Sequence, residues 1–129
     1  MRCAGAKPFI MQTIYDMTSA TMETLPLTLQ SHSVVLLKFG ARWCKPCKLM
    51  LPVLHELANH YGTHLHVATV DVDTEPELCE RYGVDSVPCM LLLHKGAEQQ
   101  RWTGVTDKAD LSEAIDRACL HVSMADVDF

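Results

Sequence analysis

A near-continuous apolar run, Val34-Val35-Leu36-Leu37-Lys38-Phe39, closes on Gly40 and leads within a few residues into Trp43-Cys44-Lys45-Pro46-Cys47-Lys48. A strand without polar alternation has to be covered on both faces, as in a sheet that carries helices on either side. Such a strand belongs in the centre of its sheet. The residues after it read as a helix, because Cys47, Met50, Leu51, Leu54, Leu57, Ala58 and Tyr61 recur at spacings of three and four and Gly62 is a natural stop. Pro52 removes the hydrogen bond to the Lys48 carbonyl, so a kink is expected about one turn after Cys47. Two cysteines three apart therefore stand where a buried strand meets a helix N-terminus.

Strands and helices alternate around this junction. The periodicity predicts a short strand over Gln12–Met17 and a helical segment over Thr18–Gln30 that Pro26 interrupts. A strand follows from His64 to Asp73. Thr74-Glu75-Pro76-Glu77 has the form of a capping box, opening a short helix that ends at Gly83. These elements make a βαβ unit. Val87–His94 and Gln99–Thr103 flank Lys95-Gly96 as a hairpin, and Leu111, Ala114, Ile115, Ala118 and Cys119 give a closing helix its buried stripe. The class is α/β, with residues 1–12 expected as a flexible extension, 13–120 as one domain and 121–129 as a frayed tail.

Length and charge agree with a single domain and narrow its partners. The 129 residues, 48% hydrophobic, suffice for one core. Sixteen acidic against eleven basic residues leave a net charge of -5, so no general basic field holds a phosphate backbone, and nucleic acid is excluded as a partner. No apolar stretch approaches the roughly 20 residues of a membrane span. The N-terminal residues lack an apolar signal segment, which predicts a cytoplasmic protein. Six cysteines fall below the roughly 8 to 10% of disulfide scaffolds, and a cytosolic chain does not keep structural bridges.

The pair at 44 and 47 has two unlike environments. Cys44 faces the unpaired amides and positive end of the helix dipole, which stabilise a thiolate. Cys47 heads the apolar stripe, where a thiol titrates higher. That asymmetry suits thiol-disulfide exchange: Cys44 attacks a substrate disulfide, and Cys47 resolves the mixed disulfide by attacking Cys44. No bound cofactor is required. A zinc knuckle is the weaker reading, because Cys79 and Cys89 are ten residues apart with no histidine at ligand spacing, and no metal is expected. An iron-sulfur centre bridging two chains is a further alternative. Cys119 fits the core stripe, and Cys3 and Cys79 read as incidental.

Trp43-Cys44-x-Pro46-Cys47-Lys48, Pro52, Asp73, Val87-Pro88 and the glycines at 83, 96 and 104 together resemble the thioredoxin family, from about Ile14 to Leu120. The resemblance implies a central mixed β-sheet flanked by α-helices and a cis peptide bond at Pro88 beside the cysteine pair. It also implies protein disulfides as substrates, a docking surface formed by Trp43, Val87, Pro88 and Gly104, and electrons from NADPH through a thioredoxin reductase. A monomer is expected. Four positions depart from the family's pattern. Lys45 stands in place of a glycine, Lys38 in place of a buried aspartate that serves the resolving cysteine, Thr69 in place of that aspartate's lysine partner, and Cys89 in place of a threonine.

These departures bear on how Trp43, Lys45, Pro46 and Lys38 tune the pair. Lys38 has two readings: a partly buried amine able to accept the Cys47 proton, or an aliphatic stem packed below an ammonium that reaches water. Cys89 is either a threonine-sized filler or a third thiol able to exchange with Cys44. The function expected is a dithiol reductant of protein disulfides. The alternatives are an oxidase or isomerase using the same chemistry, and an interaction module with a vestigial pair.

Overall fold

The computed structural model describes residues 17–127, with side chains through Leu120. Its order is β1 (Met17–Ser19), α1 (Leu25–Ser31), β2 (Val34–Gly40), α2 (Lys45–Tyr61), β3 (His66–Asp71), α3 (Pro76–Tyr82), β4 (Cys89–His94), β5 (Ala97–Thr103) and α4 (Lys108–Val127). The five strands form one sheet in the order β1-β3-β2-β4-β5. As the apolar run requires, β2 is central, parallel to β3 and antiparallel to β4, and every one of its residues is buried.

The two-residue period of the strands sorts the core into two layers. Val34 and Leu36 of β2, Val67 of β3 and Met90 and Leu92 of β4 pack with Met50, Leu54 and Leu57 of α2 and Leu111 and Ile115 of α4. Val35, Leu37 and Phe39 point the other way, onto Leu25 of α1 and Leu78 of α3, together with Ala68, Val70, Cys89, Leu91 and Leu93. By the same alternation Lys38 shares the α2 side with Val34 and Leu36, and it is the one charged side chain buried among the described residues.

Several element boundaries differ from those expected. The expected strand at Gln12–Met17 lies outside the described residues except for Met17, where β1 begins. The helical segment at 18–30 is confined to α1, because Pro26 is tolerated only in a first turn and the residues before it form a threonine-stabilised turn, with the Thr21 N–H donating to Thr24 Oγ1 at 2.9 Å. β3 is shorter than 64–73, since Gly62–His64 form a single 3-10 turn. The capping box is not made. Glu75 is the N-cap of α3 without a side-chain cap, and its carboxylate instead accepts from the Met22 N–H at 3.2 Å. β4 begins at Cys89 rather than Val87, just after a proline that has no N–H to offer a ladder. Lys95 and Gly96, with φ of 52° and 83°, make the hairpin turn. α4 continues past Leu120 to Val127, with no glycine or proline after Leu120 to stop it, while the 1–12 extension lies outside the described residues.

One tie was not expected. The Arg101 guanidinium of β5 donates to the carbonyls of Tyr82 and Gly83, which end α3, and to both carboxylate oxygens of Glu98. It thereby anchors the C-terminus of α3 to the edge of the sheet.

Candidate active site

α2 starts at the C-terminal end of the central strand, and its first residues carry the pair. Cys44 is the N-cap, in an extended conformation with φ of -93° and ψ of 106°. Lys45 and Pro46 occupy the first two helical positions, where a proline's missing N–H leaves no bond unmade, and both are exposed. Cys47 is therefore the third helical residue, and its backbone N–H donates to Cys44 Sγ at 3.2 Å. This is the hydrogen bond that a serine or aspartate N-cap makes, here received by sulfur. Cys44 and Cys47 are joined as a disulfide with their Cα atoms 5.3 Å apart. Both are buried, Cys44 at 4% exposure and Cys47 at 1%. Helix α2 runs on through Pro52 for 17 residues.

Lys38 reaches toward Cys47 from below. A Cβ placed on Gly40 would stand 3.0 Å from Lys38 Nζ and 3.3 Å from Cys47 Sγ, so the amine and the sulfur share the space that glycine leaves open. A cavity of about 310 Å³ adjoins them, lined by Lys38, Cys47, Thr69 and Asp71, with the exposed Arg42 and Lys48 at its margin. Thr69 is the cross-strand neighbour of Lys38. Among the described residues the Lys38 amine has neither an ion pair nor a hydrogen bond. Desolvation pushes its pKa below the ordinary lysine value.

The residues expected to dock a substrate lie around the same end of the sheet. Trp43 is 68% exposed, and its Nε1–H donates to Asp73 Oδ2 at 3.0 Å, which fixes the indole edge. Val87–Pro88 is a cis peptide bond, and the Gly104 N–H donates to the Pro88 carbonyl at 2.8 Å, so Pro88 and Gly104 are held together. Gly104 has φ of 93°, a conformation that disfavours any other residue. A groove of about 390 Å³ between Trp43 and Val87, floored by Val72, Cys79 and Val84, was not legible in the sequence because its walls come from separate segments.

Cys89 is free and 3% exposed, and it points to the layer of Phe39 and Leu78, opposite to that of Lys38 and Met50. Burial pushes its thiol pKa up, and the same cause raises those of Cys79 and Cys119. Among the described residues no group of three or more His, Cys, Asp or Glu is arranged to hold a metal ion, and no helix is long and apolar enough to cross a membrane.

Comparisons with known proteins agree on one family. The family model described as Thioredoxin matches residues 16–117. A thioredoxin of Mycobacterium tuberculosis is 43% identical over 83 residues, covering 64% of this chain and 72% of that protein. A bifunctional thioredoxin reductase/thioredoxin of Mycobacterium leprae is 42% identical over 91 residues, which are 67% of this chain but only 20% of that longer protein. Among solved structures, a mutant thioredoxin from Halobacterium salinarum superposes with a TM-score of 0.73 at 32% identity, covering 81% of this chain and 93% of that one.

Proposed function

This chain belongs to the thioredoxin family and is a thiol-disulfide oxidoreductase; from that premise we propose that Cys44 is its attacking thiol, Cys47 its resolving thiol, and protein disulfides its substrates. The observation that carries this reading is the Cys47 N–H donating to Cys44 Sγ at the helix N-cap. In the reduced protein the same amide and the dipole of α2 face a Cys44 thiolate, the species that attacks. Attack opens the substrate disulfide and leaves a mixed disulfide on Cys44. Cys47, sheltered beneath, then closes the Cys44–Cys47 bond and releases the second substrate thiol. The exchange needs no bound cofactor.

Trp43, Val87, Pro88 and Gly104 form the docking surface in this reading, with the groove beside Trp43 available to an apolar side chain of an extended substrate. Cys89 is a packed core thiol, not a third exchanging one. Residues 13–120 form the working domain of a cytoplasmic monomer, and electrons come from NADPH through a thioredoxin reductase. The fused reductase of the Mycobacterium leprae relative supports this donor. With NADPH and a bacterial thioredoxin reductase, the oxidised protein should drive NADPH consumption in the presence of insulin; no consumption above the reductase alone would reject this donor.

Lys45 shifts the poise of the pair. A cation stabilises the thiolate, which exists only in the reduced form, and so makes the protein a weaker reductant. Arg42, Lys45 and Lys48 are exposed around the helix start, so solvent and salt screen them. Lys45→Gly is expected to shift the reduction potential by roughly 20 mV toward reducing at low salt and by less at high salt. Equilibration with glutathione measures it, and an equal or more oxidising glycine variant contradicts the charge argument.

A further inference from the structure

We propose that Lys38 is the base that takes the proton from Cys47 when the mixed disulfide on Cys44 is resolved, an inference that rests on Cys47 being the resolving thiol. Cys47 is 1% exposed and meets solvent only through the cavity it shares with Lys38, so a basic group of the protein beside it is a better placed proton acceptor than bulk water. Lys38 Nζ and Cys47 Sγ lie within 3.0 and 3.3 Å of one point, the missing Cβ of Gly40. The other groups facing this space are Thr69 and Asp71 from β3, Lys48 from α2, and Arg42 and Ala41 from the connecting loop.

The charge state of the amine follows from its surroundings. Lys38 as a residue is 94% buried, its stem packed in the core while its amine borders the cavity, and among the described residues no carboxylate forms an ion pair with it, so the charged form is only partly hydrated and unpaired. Its pKa is pushed down by desolvation, which favours the neutral amine that a base must be. Arg42, Lys48 and Asp71 border the same cavity, and desolvation is the cause of the shift. A neutral amine is also a better acceptor than water and can hold the proton only while a thiolate balances it.

The Nζ lone pair takes the proton of Cys47 Sγ–H, giving an ammonium beside a thiolate. The thiolate attacks Cys44 Sγ, the bond from Cys44 to the substrate sulfur breaks, and the electron pair leaves on the substrate as a thiolate. Two protein thiols are thereby oxidised and one substrate disulfide reduced. With the Cys44–Cys47 bond closed, the ammonium has lost its counter-ion, and it releases the proton to water through the cavity past Thr69 and Asp71.

The test separates the two thiol steps with a chromogenic aryl disulfide, dithiobis-nitrobenzoate, added below stoichiometry to the fully reduced protein. The first nitrothiobenzoate released reports attack by Cys44, and the second reports resolution by Cys47. Lys38→Met should leave the first release near the parent rate and slow the second by about 100-fold at neutral pH. The gap should close as pH rises and hydroxide removes the thiol proton directly. Lys38→Gln, polar but not basic, should behave in the same way, and it stands in if the methionine variant fails to give a parent-like circular dichroism spectrum. A second release at the parent rate in either folded variant would overturn the proposal. So would slowing by one constant factor at every pH, which marks a packing defect. Absence of any first release in the parent would instead overturn the assignment of Cys44, an outcome distinct from failure of the base.

Discussion

Replacing Cys47 with serine is expected to arrest the protein as a stable one-to-one mixed disulfide through Cys44, while replacing Cys44 with serine yields no adduct and lowers disulfide reduction by at least about 10³-fold. The asymmetry follows from the helix start. Cys44 Sγ is the atom that receives the N-cap hydrogen bond from the Cys47 amide, whereas Cys47 Sγ lies within 3.3 Å of the Gly40 Cβ position, toward Lys38 and the core. On the proposed roles, a thiolate forms at the first site and a sheltered thiol waits at the second. Incubation of each variant with oxidised insulin, followed by intact mass measurement with and without reductant, reads the outcome. Adducts on Cys44→Ser and none on Cys47→Ser would reverse the roles.

Phe39→Ala is expected to destabilise the fold by ~3–5 kcal/mol, a fall in Tm of roughly 12–25 °C for a domain of this size. Phe39 is fully buried in the central strand, packs edge-on to Tyr82 with ring centroids 6.0 Å apart, and is surrounded by the apolar layer under α1 and α3. Its neighbours come from four elements that cannot all close in on a void, so the cavity persists. The substitution sits on the face opposite Cys47, so the trapped-adduct chemistry should survive below the lowered Tm. A Tm within about 3 °C of the parent would show that this layer repacks freely, contrary to the close-packed interior described above.

How far the sequence carries is clearest at particular residues. The central position of β2 was legible because an uninterrupted apolar run has no solvent face to offer, and the start of α2 because Pro46 and the apolar stripe from Cys47 mark the same helix from both sides. Lys38 was legible only in part. Its two-residue spacing from Leu36 places it on the α2 face, but whether its amine snorkels to water depends on how closely α2 and Gly40 approach, a tertiary distance no pattern encodes. The Arg101 anchor on α3 spans 18 and 19 residues of sequence and uses backbone carbonyls as acceptors, which carry no residue identity. Strand ends were misplaced for a related reason. β3 and β4 stop where their neighbours stop, and Thr74 and Glu77 satisfy a local capping pattern that the contact between Glu75 and Met22 displaces.

The central claim is that the Cys44–Cys47 dithiol carries two electrons to a protein disulfide. Insulin reduction with dithiothreitol as the only electron source tests it most directly, followed by the turbidity of the released B chain. The parent protein should shorten the lag and raise the rate in proportion to its concentration, and the Cys44→Ser variant should be indistinguishable from dithiothreitol alone. A parent protein that leaves the dithiothreitol rate unchanged, or a Cys44→Ser variant that accelerates it as the parent does, would contradict the account.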